Sequence, residues 1–122
     1  MNPETLLMRQ INPSFIQNGR VTSQAFRPTP KDENELSVYN GDLISPEKSW
    51  LHFTVTQSFK SAGVMAVSHE QCIEQSVPVI YNGIPFTEHA YLSFSNMSKK
   101  EIERKAKVLM SKAQERNWLY QA

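Results

Sequence analysis

The chain has 122 residues, with 13 Lys and Arg against 12 Asp and Glu, three His, one Cys and a hydrophobic fraction of 39%. That length suits one domain and leaves no room for separate catalytic and substrate domains. Its 29 Leu, Ile, Val and Phe residues lie above the roughly 20% level below which chains fail to bury a core, and the longest apolar run, Val64 to Val67, is far short of the about 20 residues a membrane helix needs.

In chain order, Leu7 to Ile11 reads as a strand leading through a turn at Asn18-Gly19 into a second strand, Val21 to Phe26, while Asn82-Gly83 is a tight-turn signal whose nearby Pro85 suggests a longer connection than a two-residue hairpin. Arg27 to Asn34, with two prolines followed by charges and amides, reads as a surface loop before a strand at Glu35 to Tyr39. Ser45-Pro46-Glu47 supplies a capping hydroxyl, a proline preset for the first helical position and an acid favoured by the helix dipole. The expected helix covers about 46–60, with Leu51, Val55 and Phe59 as its buried stripe and Ile44 as entry anchor, and with Gly63 closing or following it.

The run Gly63 to Val67 reads as a strand feeding a short helix, about 69–75, through a capping box at Ser68 and Gln71. Strands are also expected at Val77 to Tyr81 and at His89 to Phe94, where Ala90, Leu92 and Phe94 alternate with polar or amphipathic neighbours. A second capping box, Ser98 with Glu101 between the staple residues Met97 and Ile102, starts a helix over 99–116 whose apolar face is Ile102, Ala106, Leu109 and Ala113. Trp118-Leu119-Tyr120 should cap its far end under the core. The whole predicts a single compact α+β domain, 1–122: a mostly antiparallel twisted sheet of about five or six short strands, with the two longer helices on one face.

Charge is segregated. Ser98 to Arg116 carries seven basic residues, Lys105 and Lys112 among them, against three acids, while the rest of the chain is acidic by three. A basic helix face can neutralise phosphates with steep salt dependence, so nucleic-acid binding through this C-terminal helix is a further alternative, yet lysine-rich faces are commonly just solvated, and no aromatic residue is interleaved with these cations. His69 and Cys72, three apart on the short helix, have zinc-pair chemistry, but two ligands do not make a site, and Cys72 fits a small buried hydrophobe; no metal is expected. The four glycines never cluster, which excludes a phosphate-cradling loop, and Cys72 lacks flanking residues of a nucleophilic cysteine. With Met1-Asn2-Pro3-Glu4 lacking the basic and apolar run of a secretory signal, and a lone cysteine, a cytoplasmic location is expected.

Arg9 on the first strand, the Thr22-Ser23 pair on the second and Glu88 before the last strand resemble, in scattered single residues, the ADP-ribosyltransferase arrangement. The resemblance implies an NAD-using enzyme with Arg9 gripping the nicotinamide nucleotide, Ser23 bracing the catalytic Glu88, and Tyr39 or Tyr81 stacking on nicotinamide. Phe86 stands where that family carries a second acid. The leading expectation is instead a small non-catalytic protein-interaction module, an adaptor, accessory subunit or inhibitor/immunity-type protein, that needs no cofactor and binds another protein. Its candidate surface is the Tyr81 to His89 loop, where Tyr81, Phe86, Glu88 and His89 combine aromatic anchors with polar contacts, together with Lys105 and Lys112.

Overall fold

A computed structural model describes residues 2–122 as an α+β fold. Among the described residues there are eight strands: β1 Leu6–Gln10, β2 Ile16–Gln17, β3 Arg20–Val21, β4 Glu35–Asn40, β5 Gly63–Ser68, β6 Val79–Ile80, β7 His89–Ser93 and β8 Tyr120–Gln121. Six of them form one sheet in the order β6-β7-β4-β1-β5-β8, every pair antiparallel, while β2 and β3 make a separate hairpin. Asn18 and Gly19 turn that hairpin with φ of 52° and 76°, the left-handed conformation that tight hairpins demand.

Three α-helices accompany the sheet: α1 Pro46–Leu51, α2 His69–Glu74 and α3 Lys99–Arg116. Each starts at a serine whose hydroxyl accepts a backbone N–H: Ser45 from Lys48, Ser68 from Gln71 and Ser98 from Glu101. At Ser68 the box is complete, because the Gln71 side chain accepts from the Ser68 amide at 2.9 Å. At Ser98 only half of it forms: the Glu101 carboxylate turns to the Lys105 ammonium, 3.3 Å away.

The two faces of the sheet carry two cores. Leu7, Leu36, Val38, Met65, Val67, Ala90 and Leu92 face α3, whose Ala106, Leu109, Met110 and Ala113 are buried against them. Met8, Tyr39, Val64 and Ala66 point the other way, under Ile44, Trp50 and Phe53. The first helix therefore covers the face opposite α3, which corrects the expectation of both longer helices on one face. Strand alternation demands this: β1 and β5 carry apolar residues on both faces, as strands covered on both sides do.

The predicted helix over 46–60 is also corrected. After α1 the chain continues as a π-helical turn, His52–Thr56, and stops. Its inward residues are Ser49, Trp50 and Phe53, with the Trp50 indole donating to the Ser61 carbonyl at 2.9 Å. Leu51, Val55 and Phe59 are 44%, 70% and 57% exposed. The two large aromatics, Trp50 and Phe53, set the rotation of this segment, so the four-residue stripe beside them turns outward.

The expected strand Val21 to Phe26 ends at Val21, and Ser23–Phe26 forms a 3-10 turn that buries both Ala25 and Phe26. Adjacent apolar residues cannot share one face of a strand, and the turn tucks both under α3. The expected strand at Val77 to Tyr81 shortens to β6, and the C-terminal aromatics build an eighth strand on the β5 edge. There Gly63, at φ +154°, leaves the space that Trp118 and the Tyr120 carbonyl occupy, which a Cβ would fill. No helix among the described residues is long and apolar enough to cross a membrane.

Candidate functional site

Strands β1 and β4 pair only through Leu7 with Asn40 and Met8 with Tyr39, and then part. Arg9 inserts where they separate. Its Nε donates to the Ala25 carbonyl at 2.7 Å, its Nη1 donates to the Ser37 carbonyl at 3.0 Å, and the guanidinium lies 5.7 Å from the Phe15 ring centre. Burial lowers its pKa to about 10, against the opposing pull of Asp32, so it remains a cation at neutral pH.

Beside this wedge lies a cleft of about 240 Å³, lined by Arg9, Gln10, Ser37, Val38 and Tyr39 from the strands, Phe53, Gln57 and Phe59 from the π-turn segment, and Pro85, Phe86 and His89. Its wall is aromatic. Tyr39 and Phe86 stack with centroids 5.2 Å apart, Phe53 and Phe59 lie 5.1 Å apart, and Phe86 approaches His52 at 4.5 Å and His89 at 5.4 Å. Gln10 is spent structurally, donating to Ser49 at 3.1 Å and accepting from Ser61 at 2.8 Å.

Two imidazoles border the cleft. The Tyr39 hydroxyl, held protonated by burial and further by the Glu88 carboxylate, shares a hydrogen bond with His52 Nδ1 at 2.7 Å. His89 has Asn82 Oδ1 2.8 Å from Nδ1 and Ser37 Oγ 3.2 Å from Nε2. One neutral tautomer satisfies both contacts: Nδ1–H donates to the amide oxygen and Nε2 accepts from the serine hydroxyl. Burial lowers the His89 pKa and so favours this neutral form.

Of the residues the sequence singled out, Arg9, Phe86 and His89 meet at this cleft, with the Glu88 charge acting on Tyr39 beside it. Ser23 lies in the 3-10 turn, away from the cleft lining. Tyr81 is partly buried against the main core, and its hydroxyl pairs with His69 Nδ1 at 2.9 Å under a nearly parallel ring stack. Cys72 is wholly buried, with its thiol pKa raised by burial to about 12. Among the described residues no group of three or more His, Cys, Asp or Glu is placed to hold a metal.

The basic helix is altered more deeply. Lys105, expected to contact a partner, is only 5% exposed and pairs with Glu101, while Arg116 donates to the Ala66 carbonyl and to Gln71, both at 3.1 Å. Lys112 is half-buried, and Lys99, Lys100, Arg104 and Lys107 are exposed. Position 105 follows directly before Ala106 on the helix wheel's inner edge, so its stem is covered while its ammonium reaches back one turn.

A wider hollow of about 610 Å³ lies between the Arg27 to Asn34 loop and the start of α3, where Arg27 and Glu103 pair at 2.7 Å. Sequence reading missed Ser37, Gln57 and Phe59 as lining residues. Phe59 looked like core, and Ser37 carried no signal beyond its alternation within β4. No protein-family model matches the chain, and no curated protein or solved structure is significantly similar to it.

Proposed function

We propose that the chain is a protein-interaction module whose contact surface is the Leu51–Phe59 segment with the aromatic cleft beside it. The observation that carries this reading is the outward stripe: Leu51 at 44%, Val55 at 70% and Phe59 at 57% exposure, three large apolar side chains on one short segment. Large apolar groups clustered beside a concave aromatic wall favour a partner over water. The cleft, at about 240 Å³, falls below the roughly 300–1,000 Å³ of pockets that take drug-sized ligands, and suits one bulky side chain from a protein segment. A dinucleotide exceeds that volume, and the Arg9 guanidinium is already engaged by two carbonyls.

The partner is thus a protein segment with an apolar face and a large anchor residue. Affinity capture from the native host, quantified by mass spectrometry, compares the unmodified chain with Val55→Glu and Phe59→Ser, and with Lys107→Glu as a distant control. A stoichiometric partner retained by Lys107→Glu and lost in both cleft-rim variants supports the reading. An identical bound set for all four, with equal melting temperatures, rules it out.

A further inference from the structure

We propose that Ser37, His89 and Asn82 form a nucleophile relay that hydrolyses small esters whose apolar acyl group lodges in the aromatic cleft. This goes beyond the interaction reading, which requires no chemistry. The three groups stand in the order that activates a serine. Asn82 Oδ1 lies 2.8 Å from His89 Nδ1, and His89 Nε2 lies 3.2 Å from Ser37 Oγ. An amide oxygen that fixes the imidazole tautomer and leaves Nε2 facing a hydroxyl is a sufficient orienting group for a general base.

The placement is built into the sheet. Ser37 on β4 is opposite Tyr91, and His89 on β7 is opposite Tyr39, so serine and histidine are diagonal neighbours on one face. Asn82 reaches the ring because the loop folds back, with the Gly83 amide donating to the His89 carbonyl at 3.1 Å. Ser37 is exposed, so a substrate reaches its hydroxyl. Behind it, the Arg9 guanidinium donates to the Ser37 carbonyl at 3.0 Å and so fixes the β4 backbone that carries the serine. Gln57 lines the same cleft and carries side-chain N–H donors of the kind that stabilise a developing oxyanion.

In the reaction, Ser37 Oγ adds to the ester carbonyl carbon while its proton passes to His89 Nε2. The carbon–oxygen bond to the leaving group then breaks, and that proton departs with the alcohol. Water adds to the acyl-serine, giving one proton to Nε2, which returns it to Ser37 Oγ as the carboxylic acid leaves. Ester and water become acid and alcohol, with no oxidant or cofactor. The charged and titratable groups around His89 are Arg9 from β1, Tyr39 from β4, His52 from the π-turn and Glu88 from the preceding loop.

The purified full chain is treated with a fluorophosphonate probe, the adduct is located by peptide mass spectrometry, and p-nitrophenyl butyrate hydrolysis is followed from acid to mildly alkaline pH. The expected result is an adduct on Ser37 and an activity that falls as acid protonates His89. Ser37→Ala should lose both adduct and activity, and His89→Gln should lose at least about tenfold in rate at an unchanged melting temperature. Asn82→Ala should lower kcat more than it raises KM. No adduct on Ser37, or hydrolysis by Ser37→Ala equal to that of the unmodified chain, overturns the proposal and leaves the serine–histidine contact a cross-strand hydrogen bond. Because the chain is assayed alone, failure to capture a partner does not touch this result, and a negative result here does not touch capture.

Discussion

Truncating Leu109 to alanine tests the assignment of the main core. Leu109 is wholly buried on α3, in one cluster with Ala106, Met110 and Ala113 of the helix and Met65 and Val67 of β5. Removing three carbons forfeits roughly 0.8 kcal/mol each in transfer energy, and the unfilled volume adds to it because the sheet beneath is rigid, giving about 2–5 kcal/mol. For a domain of this size that lowers the melting temperature by about 10 °C or more. Urea unfolding is followed by circular dichroism and by tryptophan fluorescence, since Trp118 packs on the α3 side and Trp50 on the other. Val55→Ala, at a site 70% exposed, serves as the contrast and should change stability by less than about 0.5 kcal/mol. A Leu109→Ala loss below about 1 kcal/mol, or an equal loss at Val55, would refute the assignment of faces.

Lys105→Glu should destabilise the fold, since it places a carboxylate at a buried position next to Glu101. Lys107→Glu, at an exposed position, should leave the melting temperature unchanged while weakening any salt-sensitive retention on a phosphate matrix; equal thermal effects would contradict the burial of Lys105. Cys72, buried with its pKa raised to about 12, should resist iodoacetamide in the folded chain and react once urea unfolds it, so rapid labelling of the native protein would count against the packing of α2. His89 has a folded pKa lowered by burial, so its neutral form contributes stability that is complete above its unfolded pKa, near 6.5, and is lost as pH falls through the lower folded value. The stability of His89→Gln should therefore decline less than that of the unmodified chain on acidification; parallel declines would show that His89 is not desolvated.

The sequence by itself determined the parts of this protein that rest on local chemistry. Ser45, Ser68 and Ser98 mark their helix starts because a hydroxyl must satisfy backbone donors within three residues. Asn18-Gly19 marks a turn because few residue pairs adopt left-handed angles, and the alternation of Ala90, Leu92 and Phe94 exposes the period of a strand. Tertiary structure alone decided which side of an element faces in. Leu51, Val55 and Phe59 have the spacing of a buried stripe, yet Trp50 and Phe53 bury more area against the sheet, and a segment can present only one face to it. Lys105 is hidden for a related reason: its neighbour Ala106 must reach the core, and α3 lies close enough to cover the lysine stem as well. The cleft was least legible of all. Arg9, Ser37, Gln57, and Phe86 with His89 come from four separate stretches, and they meet only because β1 and β4 part after Met8 and Tyr39. That divergence depends on pairings between residues about 30 positions apart, for which local residue spacing carries no signal.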